Sequence, residues 1–398
     1  MADFDAIIIG GGACGLMCAA QAGLLGKRTL TLERNDRPGA KILISGGGRC
    51  NYTNRFTTTD NFVSAHAAFA ETAFALWTVE DTVRFFEDYG IQGHEKTLGQ
   101  LFPVTNKARD VVNVFTGIMR KTGQQLRLNT LVSGIEREAS GFLVHILREG
   151  DRRETLRAAK IVLASGGLPV AKLGASDLAL RAARDLGLEI IPTAPALVPL
   201  VITGKEADWY AALAGNTVFV RASNSRISFE EQALFTHWGL SGPAILQISS
   251  YWRPGESITL DLLPRHDVNK LIQESRQSGG KQLVSQLLQG HFSKRLLDAL
   301  GQFLPLDLKI ASLSKADAKR IADTLHRFTV KPATDKGYDK AEVMRGGVAT
   351  RELDPKTLES LKVPGLYIGG EAVDMTGWLG GYNFQWAWAS GYAIARAL

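Results

Sequence analysis

The sequence predicts an α/β protein in which both ends of the chain form one parallel sheet. Three observations support this fold. A short apolar strand pattern runs into a glycine-rich turn at residues 6–15, and a second glycine-closed strand lies near the other end, at residues 363–372. Between them the composition changes after residue 190, first to a β pattern and then to a helical one. Strands that alternate with helices indicate a parallel sheet, and the middle of the chain is then an insertion.

The first unit spans residues 6–33. Residues 6–9 read AIII, a β-branched run that suits a buried parallel strand. Gly10, Gly12 and Gly15 then match G-x-G-x-x-G, in which the glycines allow a tight turn, close approach of a pyrophosphate and helix packing. A second strand ends at Glu33, where a carboxylate accepts hydrogen bonds from ribose hydroxyls. Together these features predict a Rossmann-type dinucleotide site with phosphate at the helix N-terminus.

A second glycine-rich segment, SGGG at residues 45–48, follows the first unit. It is predicted to be neither helix nor strand, because three glycines let a backbone press against a flat or anionic ligand. The alternative is a flexible linker. Lys41, Arg49 and Asn51 argue against a linker, since linkers favour glycine and serine alone.

The rest of this region alternates between helices and strands. Small residues, Ala164 and Gly166 among them, end a buried strand and permit close passage beside a cofactor, so this strand belongs to the first sheet. In chain order we predict helices over 62–90 and 110–122, a strand over 125–131 with a hairpin partner over 141–147, the buried strand over 159–167, and a helix over 178–186.

The middle of the chain is predicted to be mostly β to about residue 264 and helical over 267–328. Ser314 and Asp317 resemble a capping box at the start of the last helix of this segment. The predicted domains are a nucleotide-binding domain at 1–190 and 336–398, a β-rich insert at 191–266 and 329–335, and a helical insert at 267–328.

The last region specifies the cofactor. A strand closes on Glu371, and Gly380 and Gly381 then open a helix of small residues that runs to the C-terminus. A helix N-terminus stabilises the negative charge that reduced flavin carries at N1 and O2. NAD needs no second contact of this kind at the opposite end of the chain, so we predict non-covalent FAD. With a single G-x-G-x-x-G in the sequence, NADH or NADPH is expected only as a dissociable electron donor.

These segments resemble the BaiN/YhiN-like family of bacterial flavoproteins, which includes aminoacetone oxidase and flavin-dependent enone reductases. The resemblance covers nearly the whole chain and is carried by residues 10–15, 41–51, 94–96, 234–244 and 377–391. It implies three domains, namely a discontinuous FAD-binding domain, a β-barrel-like insert and a helical insert. It also implies FAD contacts at Ala13, Glu33, Arg34, Lys41, Val132, Glu371 and Phe384.

The candidate site residues follow from the glycine-rich segments and this resemblance. The expected cofactor contacts are Gly10, Gly12, Ala13, Gly15, Glu33, Arg34, Lys41, Ser45, Gly46, Gly48, Val132, Ala164, Gly166, Glu371, Gly381, Asn383 and Phe384. The expected catalytic residues are Arg49, Asn51, His237 and Tyr382. Arg49 either binds a carbonyl or carboxylate of the substrate or contacts phosphate. His237 either titrates during turnover or caps the turn at residues 241–243. No metal-site spacing is visible.

We therefore predict an FAD-dependent oxidoreductase that transfers a hydride at flavin N5 to or from a small organic substrate, by enone reduction or amine oxidation. The formal net charge of +6 admits an RNA-modifying flavoprotein, but an anionic cofactor also accounts for it and nucleic acid is not expected. A flavin redox sensor without turnover is a further alternative. The absence of long apolar runs excludes a membrane helix, and three cysteines without a disulfide pattern favour the cytoplasm.

Overall fold

The computed structural model describes residues 4–148 and 152–398. The α-helices of the described residues are α1 Ala13–Leu24, α2 Ala40–Gly48, α3 Ala70–Leu76, α4 Val79–Asp88, α5 Ala108–Lys121, α6 Leu178–Asp185, α7 Ala207–Ala212, α8 Pro243–Tyr251, α9 Val268–Gln277, α10 Val284–Leu288, α11 Lys294–Leu300, α12 Lys315–His326 and α13 Tyr382–Ala397.

The strands of the same residues are β1 Ala6–Ile9, β2 Thr29–Leu32, β3 Thr53–Asn54, β4 Phe62–Val63, β5 Gly93–Glu95, β6 Gln100–Pro103, β7 Gln125–Arg127, β8 Leu131–Glu138, β9 Gly141–Arg148, β10 Arg152–Ala158, β11 Ile161–Leu163, β12 Ile190–Ala196, β13 Leu200–Val201, β14 Thr217–Ser223, β15 Ser228–Thr236, β16 Gly239–Ser241, β17 Ile258–Asp261, β18 Phe328–Val330, β19 Thr334–Asp335, β20 Val343–Val348, β21 Leu366–Ile368 and β22 Thr376–Gly377.

The chain divides into two compact units, Met1–Ala194 with Glu342–Leu398, and Pro195–Ala341. The predicted α/β fold, with a parallel sheet formed by both ends of the chain, is confirmed. The finer division of the inserted unit into a β-rich and a helical domain stays a prediction.

The first unit is built on a five-stranded parallel sheet in the order β21-β11-β1-β2-β7. The central strand β1 is fully buried, as its β-branched sequence requires. Ile8 pairs with Val162 of β11 on one side and with Thr31 of β2 on the other. Since the ends of parallel strands meet at one edge, the turns that follow β1, β2, β11 and β21 lie side by side.

Helix α1 packs on β1 and β2, and α5 and α13 pack on α1. The small residues of α13 lie mainly against α1. A Cβ on Gly391 would come within 2.6 Å of the Cys14 carbonyl oxygen, so glycine sets how closely these two helices pack. Cys14 and Cys18 are buried in this interface, and burial raises the pKa of the Cys14 thiol to about 12, so both act as packing residues.

Several element predictions for this unit need correction. The region 62–90 is not one helical stretch but contains β4, α3 and α4, because the backbone becomes extended at Trp77 after α3 and Thr78 then caps the start of α4. The strand predicted over 125–131 is two elements, since β7 joins the parallel sheet while β8 forms the hairpin with β9. The prediction that the glycine segment 45–48 is neither helix nor strand agrees with the structure, because the helical backbone of α2 ends at Ile44 although the assigned helix runs to Gly48.

The inserted unit contains a seven-stranded sheet in the order β18-β17-β14-β15-β16-β13-β19, with antiparallel pairs throughout. Its two edge strands, β18 and β19, are joined by residues 331–333 alone, so the sheet must curl to bring them together, as in a barrel. Helix α8 packs on β14, β15 and β16 and was missed from the sequence, although Pro243 at its start is a common first helical residue. The capping box at Ser314 and Asp317 is present, with both reciprocal hydrogen bonds.

Candidate functional site

The first turn of the site follows β1 and needs glycine for steric reasons. Gly10 has φ of +109°, and a Cβ there would lie 2.5 Å from the Ala164 carbonyl oxygen, at the end of β11. A Cβ on Gly15 would lie 1.9 Å from the Gly10 carbonyl oxygen. Gly12 has open space around it, its nearest contact being 3.9 Å away. The three predicted glycines and Ala164 therefore form one close-packed turn with a clear opening at Gly12.

The N-terminus of α1 faces this opening. No side chain caps the helix and its first turn holds no acidic residue. The Leu16 amide donates to the Gly12 carbonyl at 2.9 Å, so the amides between them precede the regular helical pattern. Ala13 is partly exposed at this end. Uncapped amides and the positive end of the helix dipole together favour a phosphate group here.

Glu33 lies at the end of β2 and is 7% exposed. Its Oε2 accepts a hydrogen bond from the Gly11 amide at 2.8 Å, and its Oε1 accepts one from the Asn35 amide at 2.8 Å. Each oxygen keeps a further lone pair that can accept a hydrogen bond from a ribose hydroxyl. The contact between Glu33 and the ribose stays a prediction. The Glu33 carbonyl accepts from the Thr130 amide, and this bond places the buried Val132 segment beside the same edge.

Arg34 and Asn35 continue from this strand end. Arg34 is exposed and donates to the Gly174 carbonyl at 3.2 Å. The Asn35 amide side chain donates to the Leu173 carbonyl at 3.0 Å. These bonds join the segment after β2 to the segment after β11, and they leave part of the Arg34 guanidinium open to solvent.

A partly buried ion pair joins the N-terminal and C-terminal parts of the first unit. Lys41 Nζ lies 2.7 Å from Glu371 Oε2, and the two side chains are only partly exposed. Glu371 Oε1 accepts from the Met344 amide at 3.1 Å, and a Cβ on Gly166 would lie 3.6 Å from Glu371 Oε2. Lys41, Gly166 and Glu371, all predicted cofactor residues, are therefore brought together from three different strand or helix ends.

The segment of three glycines forms an open backbone loop. Ser45 is extended, and Gly46, Gly47 and Gly48 all have positive φ, at +56°, +70° and +84°. The Ser45 hydroxyl donates to the Ile42 carbonyl at 2.8 Å, which turns the chain out of the helix. All three glycines are exposed, and no atom lies within 4 Å of a Cβ built on Gly47. The loop therefore has the open backbone that was predicted for contact with a flat ligand.

Arg49 leaves this loop in an exposed position. Its Nε donates to the Gly46 carbonyl at 2.8 Å, and its guanidinium lies 5.4 Å from the centroid of the Phe102 ring. The adjacent Cys50 is buried with φ of +62°, and burial raises the pKa of its thiol to about 12. Cys50 is therefore a structural residue, while the guanidinium of Arg49 remains accessible to a substrate or a phosphate.

The N-terminus of α13 provides a second group of amides. Gly381 has φ of +103°, and a Cβ there would lie 2.5 Å from the Thr53 carbonyl oxygen and 2.9 Å from Asn51 Oδ1. No side chain caps this helix, and the Gln385 amide is bonded to the Gly381 carbonyl at 3.0 Å. Asn51, 8% exposed, is therefore held against the opening of α13.

The three residues that follow Gly381 have different roles. The Asn383 side chain accepts from the Gly377 amide at 2.8 Å and donates to the Gly377 carbonyl at 2.9 Å, so it braces the preceding turn. Tyr382 is buried, with its ring centroid 6.2 Å from that of Trp378. Phe384 is partly buried and stacks on Trp388. A side-chain contact between Asn383 and a cofactor would compete with its two bonds to Gly377.

His237 belongs to the inserted unit. It lies at the tip of the hairpin between β15 and β16, is exposed, and has its ring centroid 6.4 Å from that of Trp238. In the part of the chain that the structure describes, its ring makes no hydrogen bond. Its predicted part in turnover stays a prediction.

Two buried polar atoms test whether FAD fits the first unit. Among the described residues, Ser165 Oγ and Asn51 Oδ1 have no hydrogen-bond partner. Ser165 lies beside the first turn, its Cα 2.6 Å from a Cβ built on Gly10, and Asn51 lies beside Gly381. FAD has a central pyrophosphate, ribityl hydroxyls on one side of it and a flavin ring with an N–H beyond them, so it offers a donor to each of these two atoms. The residues present therefore fit FAD.

One titratable group of this unit was missed from the sequence. Glu342, just before β20, reaches solvent, but surrounding protein atoms displace much of its hydration and raise its pKa to about 7, an effect that Lys41 opposes. The sequence feature that could have indicated Glu342 is its position three residues before Arg345, which precedes the glycine pair 346–347. The charge of Lys41 acts on Glu342, so this carboxyl group lies near the Lys41–Glu371 pair, and its raised pKa makes it a candidate proton donor.

We expect Glu33→Ala to weaken FAD binding by roughly 10- to 100-fold, because it removes a buried charged acceptor worth about 1.5–3 kcal/mol. The measurement is a titration of the apoprotein with FAD. Glu189→Ala is the matched control, since Glu189 is a surface carboxylate of the same unit, 43% exposed and paired with Arg351. Equal FAD affinity in Glu33→Ala and the wild type would remove Glu33 from the site.

Comparison with known proteins identifies relatives that match nearly the whole chain. The model of the family described as "HI0933-like protein Rossmann domain" matches residues 4–397. The chain is 41% identical over 401 residues to a "Ribosomal RNA dihydrouridine synthase" of Escherichia coli (strain K12), covering 100% of this chain and 98% of that protein. It is 28% identical over 412 residues to a "3-dehydro-bile acid delta(4,6)-reductase" of Clostridium scindens (strain ATCC 35704 / DSM 5676 / VPI 13733 / 19), covering 98% of each.

The fold also resembles the solved structure of 3-ketosteroid delta1-dehydrogenase from Sterolibacterium denitrificans, with a TM-score of 0.52, 14% identity and 99% of each chain covered. The predicted resemblance to BaiN/YhiN-like flavoproteins is confirmed. The chain belongs to the HI0933-like Rossmann-domain family and has the fold of an FAD-dependent oxidoreductase.

Proposed function

We propose that this protein is an FAD-dependent reductase that converts a uridine of ribosomal RNA into dihydrouridine. The observation that carries the proposal is the 41% identity, over the full length of this chain, to the ribosomal RNA dihydrouridine synthase. The sequence alone assigned the positive charge to cofactor binding and did not favour nucleic acid. The relationship to an RNA-modifying enzyme now favours RNA as the partner.

The reaction adds two hydrogen atoms across the C5–C6 double bond of uracil. That bond is conjugated to the C4 carbonyl, so a hydride adds at C6, negative charge moves to O4, and a proton adds at C5. Bound FAD in its reduced form supplies the hydride and both electrons. The substrate is an enone in the chemical sense, which agrees with the enone reduction predicted from the sequence.

The residues of this chain would stabilise the negative charge that forms on O4 of the uracil and supply the proton that adds at C5. Arg49 is exposed beside the open glycine loop, and its guanidinium can donate to a uracil carbonyl oxygen as that oxygen becomes negative. Asn51 Oδ1 is buried without a partner and can accept an N–H of the cofactor or the base. These roles need no movement of the glycine loop, which already presents its backbone to solvent.

Glu342 is the proposed proton donor. Its raised pKa, about 7, keeps the carboxyl group largely protonated in mildly acidic solution. A donor must be protonated before it transfers its proton, so turnover should fall as the pH rises through about 7. Glu342→Gln should turn over at least roughly 100-fold more slowly and lose this pH limb, while FAD stays bound.

The measurement is the pH–rate profile of both proteins, with His237→Ala as the comparison variant. If His237→Ala loses the limb and Glu342→Gln keeps it, the proton donor is the histidine. If neither variant changes the profile, both assignments fail.

The activity is tested by anaerobic reduction of the purified protein with NADH or NADPH, followed by incubation with unmodified ribosomal RNA. Nucleoside mass spectrometry then measures dihydrouridine, which is heavier than uridine by two hydrogen atoms. Ribosomal RNA transcribed in vitro and assembled subunits should both be tried. Absence of dihydrouridine from both, with a protein that holds reducible FAD, would contradict the proposal.

A second candidate is reduction of a small organic enone. It is favoured by the full-length relationship to the bile acid reductase, which is weaker at 28% identity. Rapid reoxidation of the reduced protein by 3-oxo-Δ4 steroids, with no product in RNA, would support this candidate. Amine oxidation and a redox sensor without turnover stay predictions. If neither RNA nor 3-oxo-Δ4 steroids reoxidise the reduced protein, the result would favour the sensor.

No helix among residues 4–148 and 152–398 is both long enough and apolar enough to span a bilayer.

A further inference from the structure

An exposed apolar surface lies beside the flavin site and is not explained by cofactor binding. It consists of Phe56, which is 62% exposed, and Leu98, which is 59% exposed. We call this pair the Phe56 surface. Large apolar side chains that remain this exposed next to a candidate active site indicate a surface for binding.

Hydrogen bonds fix the backbone of the Phe56 surface. The Phe56 amide donates to Asn54 Oδ1 at 3.0 Å, and a Cβ on Gly99 would lie 2.6 Å from the Phe56 ring. Leu98 has φ of +53° in the turn between β5 and β6, a costly conformation for a leucine that neighbouring hydrogen bonds maintain. An aromatic side chain has only two side-chain torsion angles, so it loses little conformational entropy when a ligand stacks on it.

The same surface is tied to the N-terminal turn of α13. Asn54 Nδ2 donates to the Leu98 carbonyl at 3.0 Å and to the Gly380 carbonyl at 2.9 Å. One buried side chain therefore connects the exposed turn and the glycines that open α13. A ligand on the Phe56 surface would lie next to a substrate placed at the flavin.

The charge around this surface is positive. Arg49 and Lys96 both lie over the Phe102 ring, at 5.4 Å and 5.9 Å from its centroid. Within the described residues neither forms an ion pair with a carboxylate, whereas the neighbouring Arg55 is paired with Glu95 at 2.7 Å. Lys96 lies two residues before Leu98 in the turn between β5 and β6, so this unpaired cation and the exposed Phe56 ring together match a polyanion that also carries flat rings.

We propose that the Phe56 surface binds a single-stranded stretch of RNA next to the target uridine, with a neighbouring base stacked on Phe56 and a phosphate held by Lys96. This inference rests on the proposed function. A single strand is required because the edge and face of a base are inaccessible to a flavin inside a helix. A second copy of this chain is a poorer fit, since a two-fold contact would bring like charges together.

The test measures binding of a 5′-fluorescein-labelled, uridine-rich 12-nucleotide RNA by fluorescence anisotropy, at several KCl concentrations. Phe56→Ala should bind roughly 10-fold more weakly, and Phe56→Tyr should bind like the wild type because the stacking face is retained. Lys96→Ala should lower the slope of log affinity against log salt by about 0.7. The same RNA as a blunt duplex should bind the wild type and Phe56→Ala equally.

Two control variants separate this effect from general loss of apolar area or charge. Leu361→Ala removes another exposed apolar side chain of the same unit, 65% exposed, and Lys281→Ala removes an exposed lysine of the inserted unit. Both should bind RNA as the wild type does. FAD content and reduction by NADH or NADPH should be the same in every variant, which shows that the cofactor site is intact.

Three outcomes would overturn the inference, and they differ from failure of the proposed function. Wild-type protein that makes dihydrouridine, with Phe56→Ala and Lys96→Ala unchanged in RNA affinity and salt slope, would contradict this inference alone. A dimeric wild type and a monomeric Phe56→Ala would assign the surface to contact between copies. Wild-type protein that neither binds nor reduces RNA would remove the proposed function together with this inference.

Discussion

Gly15→Ala is expected to yield a colourless protein without FAD. The added methyl group would lie 1.9 Å from the Gly10 carbonyl oxygen, far inside van der Waals contact. Overpacking against side chains costs about 1–3 kcal/mol, and a backbone atom cannot rotate away, so we expect a cost of about 3 kcal/mol or more. Relief requires α1 to move from β1, and this movement displaces the uncapped amides that would hold the pyrophosphate.

Visible absorbance of the purified variant, FAD titration and thermal unfolding measure this effect. Gly117→Ala is the matched control, because Gly117 lies inside α5 and no atom lies within 4 Å of a Cβ built there. This control should keep FAD and gain up to about 1 kcal/mol of helix stability. Native FAD affinity in Gly15→Ala would show that the turn after β1 does not hold the cofactor.

Gln385→Ala is expected to give the second large effect, on stability. The Gln385 side chain is fully buried, and its Oε1 accepts from the hydroxyls of Thr53 and Thr82 at 2.7 and 2.8 Å. Its Nε2 donates to the carbonyls of Trp77 and Thr78, both at 3.2 Å. Truncation leaves buried polar groups without partners and opens a cavity, so we expect a loss of about 3–5 kcal/mol in the free energy of unfolding.

A loss of this size should lower the melting temperature by about 2–4 °C per kcal/mol. Gln385→Met keeps the volume and separates the hydrogen-bond loss from the cavity. Gln273→Ala, at an exposed position of α9, is the surface control and should stay within about 0.5 kcal/mol of the wild type. If Gln385→Ala unfolds like the surface control, the network does not hold the start of α13 in place.

Cofactor loss should accompany the lower stability of Gln385→Ala. Its amide lies one helical turn after Gly381, so the side-chain network fixes the position of the uncapped amides at the start of α13. A variant that unfolds earlier yet binds FAD normally would show that those amides do not contact the cofactor.

Local patterns predicted much of the sheet and its first turn. The apolar run before Gly10 and the small residues that end β11 are local signals, and both strands lie in the parallel sheet as expected. The prediction of an open backbone at the three glycines also agrees with the structure, since the positive φ angles there are ones that glycine adopts without cost.

Local patterns did not indicate contacts for which a residue has more than one compatible neighbour. The contact of Asn383 with the cofactor stays a prediction, and the sequence did not indicate that its side chain bonds to Gly377, because an amide binds whichever backbone groups the turn brings within reach. Helix α8 was read as β because its apolar run is short and buried, and such runs have no clear periodicity.

The sequence by itself determined the glycine turn after β1, the acidic end of β2 and the membership of both chain ends in one domain. These depend on backbone conformations and burial patterns that a few adjacent residues specify. Only the tertiary structure decided that Lys41 pairs with Glu371, 330 residues away, that Asn51 faces Gly381, and that the pKa of Glu342 is raised to about 7. Such contacts and pKa shifts depend on distance and hydration in the folded chain, and separation along the sequence carries no information about either.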